Sequence, residues 1–196
     1  LKGTDYGLAV DFTDQDNFWN NVNTNQDEAA TDVHWGAEMT FDYYHQAYGY
    51  DGIDGNNMPL IGYVHYDNNW SNARWTGDWA EFGDGNGSNW AALTALDVVG
   101  HEFTHGVTGN NAKLKYQNES GALNESFSDI FGAAIEFWAD PAQADWLVGE
   151  DFISNGALRR RMASSASPAS PHTHGFTVTR STAPRRAPAP APAGGR

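Results

Sequence analysis

The stretch Val98–Thr108, VVGHEFTHGVT, determines how the rest of the chain is interpreted. Within it, His101 and His105 are four residues apart, and on an α-helix such residues lie one turn above each other on the same face. Both imidazoles then reach one metal ion, with Glu102 beside the metal's open side, which is the HExxH arrangement of zinc-assisted hydrolysis. A shuffle of this composition contains the pattern in roughly one chain in a hundred, so two packed or solvated histidines remain an alternative on this stretch alone.

Length and composition limit the class of protein and the residue types that could bind a metal ion. The chain has 196 residues, which suits one domain or slightly more. It begins at Leu1 without a charged-then-apolar signal segment, so we expect processing or fragmentation to have removed its true beginning. No apolar run approaches the roughly 18 residues that cross a membrane. Cysteine is absent, which excludes disulfides and thiolate zinc ligands and leaves histidine and carboxylate as ligands.

Charge divides the chain into two unlike parts. All 25 acidic residues lie within residues 1–151, and this acidic body carries a formal charge of −21 within the total of −14. Such a body repels nucleic acid and offers oxygen ligands to calcium, and its composition is typical of secreted bacterial proteins. Asp14, Asp16 and Asn17 have a spacing that suits calcium, although a solvated Asp/Asn loop accounts for them equally well.

Hydrophobic periodicity predicts long helices and short strands. Helices are predicted over residues 27–48, 92–108 and 122–140, with Thr94 as a cap near the start of the second. The third is predicted to be amphipathic, with an apolar side made of Leu123, Phe127, Ile130/Phe131, Ala134 and Phe137/Trp138. Strands are predicted over residues 60–66 and 80–82, and strand with loop over residues 1–25. Three histidines are interpreted as structural: His34, His45 and His65.

A catalytic zinc site needs a third protein ligand, and Glu125 is the candidate. It lies twenty residues beyond His105, one turn into the third predicted helix, and a connection of about fifteen residues lets the two helices pack antiparallel. Asp129 lies one turn further along the same face, where it can accept the free ring N–H of a ligating histidine. The alternative is that both carboxylates belong to a solvated helix face.

Two longer segments, GHEFTHGVT and YQNESGALNESFSDIFG, resemble the thermolysin-like neutral metalloendopeptidases, the gluzincins. The resemblance covers roughly residues 8–163, with MTFDYYHQAYGYDG, YVHYDNNWSNARW, FGDGNG and EFWADPAQADWLVGED in the expected order. It implies that His101, His105 and Glu125 bind zinc. It also assigns roles to further residues: Glu102 as general base, Tyr116 as a support for the oxyanion, Asp129 as the partner of the first histidine, Asn72 and Ala73 as the edge strand that binds the peptide, and Arg159 as the group that grips a substrate carbonyl.

The resemblance also implies a structural calcium site. Its ligands would be Asp97, Glu136, Asp145 and Glu150. Four carboxylates so close together would repel one another unless a divalent cation neutralised them. A metal-free acidic surface is the alternative.

The resemblance is expected to stop after about Met162. Residues 163–196 contain no acidic residue and no periodicity, and we interpret them as a disordered, low-complexity tail in which His172 and His174 have no assigned role. Family members continue instead into a helical C-terminal lobe that supplies a histidine for the transition state, so this lobe is expected to be absent. A shifted reading frame at the gene end would produce such a tail.

The sequence therefore predicts an α+β fold: the N-terminal lobe of a thermolysin-like protein, a mixed or antiparallel sheet with long helices, spanning residues 1–162. It predicts a secreted, monomeric zinc endopeptidase that acts on proteins or peptides, with calcium as a structural ion and no nucleic-acid or membrane partner. The alternatives are a fragment that binds zinc and calcium without turnover, and a lobe that binds peptides along the Asn72–Ala73 edge without cleaving them.

Overall fold

Three helices and a small sheet form the part of the chain that the computed structural model describes: residue 9 and residues 28–67, 69–88, 90–149 and 160–161. The helices are α1 (Glu28–Tyr48), α2 (Leu96–Asn111) and α3 (Asn118–Ala139). Between α1 and α2 lie the strands β1 (Gly62–Tyr63), β2 (Ala73–Trp75) and β3 (Ala80–Phe82), and after α3 the strands β4 (Leu147–Val148) and β5 (Arg160–Arg161) form a separate antiparallel pair. None of the helices in these ranges is long and apolar enough to cross a membrane.

The sheet has the order β1-β3-β2, so β2 is an edge strand. β3 pairs parallel with β1 and antiparallel with β2. In the second pairing Ala73 faces Phe82, Arg74 faces Glu81 and Trp75 faces Ala80. The mixed sheet agrees with the predicted fold class.

The hydrophobic core lies where α2 crosses α1 and the sheet. Val99 and Phe103 on α2 are fully buried, as is Phe82 on β3. They pack with the apolar face of α1, on which Val33 and Phe41 repeat at helical spacing. α3 packs on α2 as well. The residues of α2 that line the candidate site are Val98, His101, Glu102 and His105.

Two predicted boundaries are wrong for identifiable reasons. The strand predicted over residues 60–66 is short because His65 and Asp67 adopt left-handed backbone conformations, each with φ of 57°. The central helix begins at Leu96 rather than residue 92, since Ala95 is extended (φ −56°, ψ 146°). Thr94 does not cap it, and its hydroxyl donates instead to Asp32 Oδ2 of α1 at 3.3 Å.

The predicted apolar face of α3 is correct only in its second half, where Phe131, Ala134 and Trp138 pack against the core. Leu123, Phe127 and Ile130 are 46%, 36% and 44% exposed. Most of the buried residues of α3 are small or polar, with Ile135 as the large apolar exception: Gly121, Asn124, Ser128, Gly132, Ala133, Ile135 and Glu136. Small residues let α3 approach α2 closely, and the polar ones serve the candidate site described next.

Candidate metal centre

The two histidines of the HEFTH segment lie on one face of α2, as the four-residue spacing predicts. Their Nε2 atoms are 3.0 Å apart. His101 is 7% exposed, and the ring of His105 is partly open to the cleft. Both rings therefore present the same nitrogen to one point at the surface of the helix.

α3 brings the third donor to the same point. Glu125 Oε2 is 3.3 Å from His101 Nε2, and Glu125 Oε1 is 3.6 Å from His105 Nε2. One donor atom from each of the three residues lies within 4.8 Å of the other two. Among the described residues, these three side chains form the group of His, Asp and Glu that could hold a metal ion. Ligands about 2.05 Å from a tetrahedral zinc ion are about 3.3 Å apart, so the donor set fits zinc in both chemistry and spacing.

Each histidine has a second partner at Nδ1. Asp129 Oδ1 lies 2.9 Å from Nδ1 of His101, where the sequence predicts it. Asn124 Oδ1 lies 2.6 Å from Nδ1 of His105, and Ser128 Oγ is 3.1 Å from the same atom. These acceptors keep the proton on Nδ1 and so leave Nε2 free to bind a metal.

Asn124 and Ser128 were missed by the sequence reasoning. Each immediately precedes a carboxylate that was assigned a role, Glu125 and Asp129 respectively, and the two lie four residues apart on one face of α3. That spacing was the sequence signal that both side chains face the candidate site. It was overlooked because amide and hydroxyl side chains on a helix are usually solvated.

The ionisable side chains of the site change one another's pKa. Burial opposes the imidazolium form of His101, but hydrogen bonds to Asp129 and Glu125 outweigh it and raise the pKa of His101 to about 9. Burial and the neighbouring His101 lower the pKa of His105. The hydrogen bond from His101 is the main reason that the pKa of Glu125 falls to about 2, with Tyr116 adding to it. The site thus holds a carboxylate, a neutral imidazole and one proton that a metal ion would displace.

Glu102 and the predicted substrate residues line the same cleft, which has a volume of about 760 Å³. Glu102 is 6% exposed and stands next to His101 on α2 without belonging to the donor set. Tyr116 is 68% exposed, and its hydroxyl donates to Glu125 Oε1. Asn72 and Ala73, at the start of the edge strand β2, form the opposite wall.

The predicted calcium ligands are only partly described. Asp97 and Glu136 are buried, at 2% and 5% exposure. Asp97 Oδ2 accepts the backbone N–H of Gly149 at 2.6 Å, and Asp145 Oδ1 accepts that of Leu147 at 2.5 Å. Glu150, like Arg159 and the Asp14–Asn17 candidate, lies outside the described residues. Calcium therefore stays a prediction.

Comparison with known proteins identifies the family. The catalytic domain of thermolysin metallopeptidases matches residues 2–109, and the alpha-helical domain of the same family matches residues 112–183. The chain is 42% identical over 158 residues to a bacillolysin of Bacillus cereus, a match that covers 80% of this chain and 27% of that protein. It is 44% identical over 155 residues to the transglutaminase-activating metalloprotease of Streptomyces mobaraensis, covering 76% of this chain and 20% of that protein.

A solved structure agrees with these matches. The precursor of protealysin, a metalloproteinase from Serratia proteamaculans, superposes with a TM-score of 0.62 at 39% identity, over 70% of this chain and 44% of that one. The chain belongs to the thermolysin metallopeptidase family, a family that implies zinc. It spans about a quarter of the length of the curated relatives named above.

The match to the alpha-helical domain corrects one prediction. The helical lobe was expected to be absent, but its family description begins at residue 112 and therefore includes α3. The match also continues to residue 183, past the point at which the resemblance was expected to stop. The prediction failed because the HExxH helix and the Glu125 helix were assigned to one lobe, whereas they belong to different family domains.

Proposed function

We propose that this chain carries the active centre of a zinc-dependent endopeptidase in which Glu102 is the general base. One observation carries the proposal. Three nitrogen and oxygen donors converge from two helices into a cleft that also contains Glu102, a buried carboxylate outside the donor set. A structural zinc site has four protein ligands, whereas this site offers three and places beside them a carboxylate that is not a ligand, as a catalytic site requires.

A zinc ion held by His101, His105 and Glu125 would act as a Lewis acid towards a carbonyl oxygen and lower the pKa of a water molecule. Glu102 would take a proton from the attacking water molecule, whose oxygen forms a bond to the carbonyl carbon. The C–N bond breaks as Glu102 delivers the same proton to the leaving amine. Asp129 and Asn124 hold the two imidazoles in place throughout, because their hydrogen bonds fix each ring's tautomer.

The cleft walls would bind the peptide. The free edge of β2 suits an extended chain, with the side chain of Asn72 and the backbone of Ala73 as its partners. Tyr116 is close enough to the donor set to give a hydrogen bond to the carbonyl oxygen as negative charge develops there. We assign Arg159 to a carbonyl beyond the scissile bond.

The proposal also covers the location of the protein, its oligomeric state and its calcium ion. We propose an extracellular, monomeric protein that acts on proteins or peptides, in keeping with its acidic body. Calcium at Asp97, Glu136, Asp145 and Glu150 would fix the segment after α3 to the start of α2. Immunodetection of the protein inside the cell rather than in the culture medium would contradict the location, and light scattering tests the oligomeric state.

The test compares three proteins on casein and on a quenched peptide, each with zinc and with a chelator. Glu102→Gln keeps the shape of the side chain but removes the base, so we expect kcat to fall by about 10²–10⁴ with zinc stoichiometry unchanged. Glu119→Gln is the matched control, since Glu119 is exposed in the first turn of α3 and lies outside the cleft. Activity that survives Glu102→Gln would refute the assignment of the base.

A zinc- and calcium-binding fragment without turnover is the second candidate. The exposed apolar residues Leu123, Phe127 and Ile130 favour it, because an uncovered stripe on the helix that supplies Glu125 weakens the support of the site. One zinc ion bound per chain, with no cleavage by the unmodified protein, would decide for this candidate.

A further inference from the structure

A second charged pair lies on the strand that forms the cleft wall, apart from the metal centre. Arg74 on β2 and Glu81 on β3 face each other in the strand register, and Arg74 Nε donates to Glu81 Oε2 at 2.5 Å. The side chain of Glu81 is fully buried, whereas that of Arg74 is 51% exposed. A buried carboxylate without its cation carries a large desolvation cost, so Glu81 depends on Arg74.

Aromatic residues fix the guanidinium in one orientation. Arg74 Nη2 donates to the hydroxyl of Tyr66 at 2.9 Å, and the guanidinium carbon lies 5.2 Å and 5.6 Å from the ring centres of Tyr66 and Trp70. Trp79 Nε1 donates to the other oxygen of Glu81 at 3.0 Å. A planar cation held at its edge by hydrogen bonds and at its face by aromatic rings has little freedom to move.

The opposite face of β2 packs on the zinc-binding helix. Ala73 is buried there, and the ring of Trp75 lies 6.0 Å from that of Phe103 on α2. Arg74 is the residue between them, so its pair with Glu81 sets how β2 lies against β3 while Ala73 and Trp75 set how it lies against α2. The backbone that faces the cleft is therefore held from both sides.

We propose that Arg74 is a positioning residue for the substrate: through Glu81 it holds the β2 edge in the register that pairs with a bound peptide. This inference rests on the proposed function, because it assumes that a peptide binds along β2. Arg74 acts through the strand and makes no contact with the reacting atoms, so its loss weakens peptide binding more than it slows the chemical step.

The experiment uses paired variants of the full zinc-loaded chain. Arg74→Met leaves Glu81 uncompensated, so we expect Tm to fall and KM to rise about tenfold while kcat changes less than about twofold. The double variant Arg74→Met/Glu81→Leu replaces both charges by apolar groups, so Tm should recover and KM should return to within about twofold of the unmodified value. Lys113→Met is the control for loss of one positive charge, at an exposed site outside the cleft.

Two results from these Tm and KM measurements would overturn the proposal. If Arg74→Met lowers Tm but leaves KM unchanged, the pair is purely structural. If the double variant regains Tm while KM stays raised, Arg74 contacts the peptide directly rather than acting through Glu81.

Peptide affinity in the Glu102→Gln background separates this inference from the proposed function. Weaker peptide binding after Arg74→Met supports the positioning role even if the unmodified chain does not cleave. Equal affinity with and without Arg74→Met, or no peptide binding at all, rejects the positioning role whatever the outcome of the cleavage assay.

Discussion

The two histidines of the candidate metal centre are held by unlike partners. His101 has the carboxylate of Asp129 at Nδ1, whereas His105 has the amide of Asn124. A carboxylate raises the basicity of the imidazole that it holds more than an amide does, so His101 is the stronger donor of the pair. Burial opposes the charged form of His101, but hydrogen bonds to Asp129 and Glu125 raise its pKa, whereas burial and the neighbouring His101 lower the pKa of His105.

Replacing Asp129 tests this difference at the level of one residue. Asp129→Asn keeps the size of the side chain but removes its charge, so we expect zinc affinity to fall about 10–100-fold. A competition titration with a chromophoric chelator measures the change. The control is Asp78→Asn, since Asp78 is exposed in the turn between β2 and β3 and lies outside the cleft. Equal affinity in the two variants would mean that Asp129 does not support His101.

At the scale of elements, the site depends on how closely α2 and α3 approach each other. A Cβ atom on Gly132 would lie 2.4 Å from the backbone oxygen of Asp97, and one on Gly100 would lie 3.2 Å from Cα of Gly132. This contact lies one turn from His101 and two turns from Glu125. It therefore sets the separation between the histidines and Glu125.

A single methyl group should disturb that contact. Gly132→Ala places a methyl group against the backbone oxygen of Asp97. We therefore expect the free energy of unfolding to fall by about 1–3 kcal/mol, and zinc binding to weaken because the helices move apart. Urea denaturation and a zinc titration measure the two effects. In contrast, Gly109→Ala places a methyl group in open space on α2 and should stabilise the chain by about 0.5–1 kcal/mol. Similar stability in the two variants would show that the helices can separate without cost.

On the scale of the whole molecule, the candidate site lies between two family domains. The histidines belong to the catalytic-domain match, which ends at residue 109, and Glu125 belongs to the helical-domain match, which begins at residue 112. A metal ion bound to both domains favours the folded state over the unfolded state, because the ligands converge only after folding.

Metal removal should therefore lower the stability of the whole chain. We expect chelation of zinc to lower Tm, and calcium to raise Tm further through the site around Asp97 and Glu136. Bound at about 100 times its dissociation constant, either ion contributes about 2.7 kcal/mol. Calorimetry with each ion added alone separates the contributions, and magnesium serves as the control for calcium. A Tm that does not respond to calcium would reject the calcium site.

The amino-acid sequence predicted the elements of the site because its signals are local. The spacing of His101 and His105 places them on one helix face whatever surrounds the helix. The position of Glu125 beyond a short connection allowed antiparallel packing, and the structure brings it to within 3.6 Å of both histidines. The resemblance to a known family added the role of Tyr116, which spacing alone does not give.

Tertiary structure decided which faces are buried and what supports the ligands. Periodicity assigned Leu123, Phe127 and Ile130 to the inside of α3, but they are exposed, because a helix that must approach α2 closely buries its smaller residues instead. The pairing of Glu81 with Arg74 was not predicted either, since it depends on the register of β2 against β3. By itself, the sequence predicted the three metal-ligating side chains His101, His105 and Glu125, and only the packing of α3 and β2 against α2 determined the shape of the cleft in which they lie.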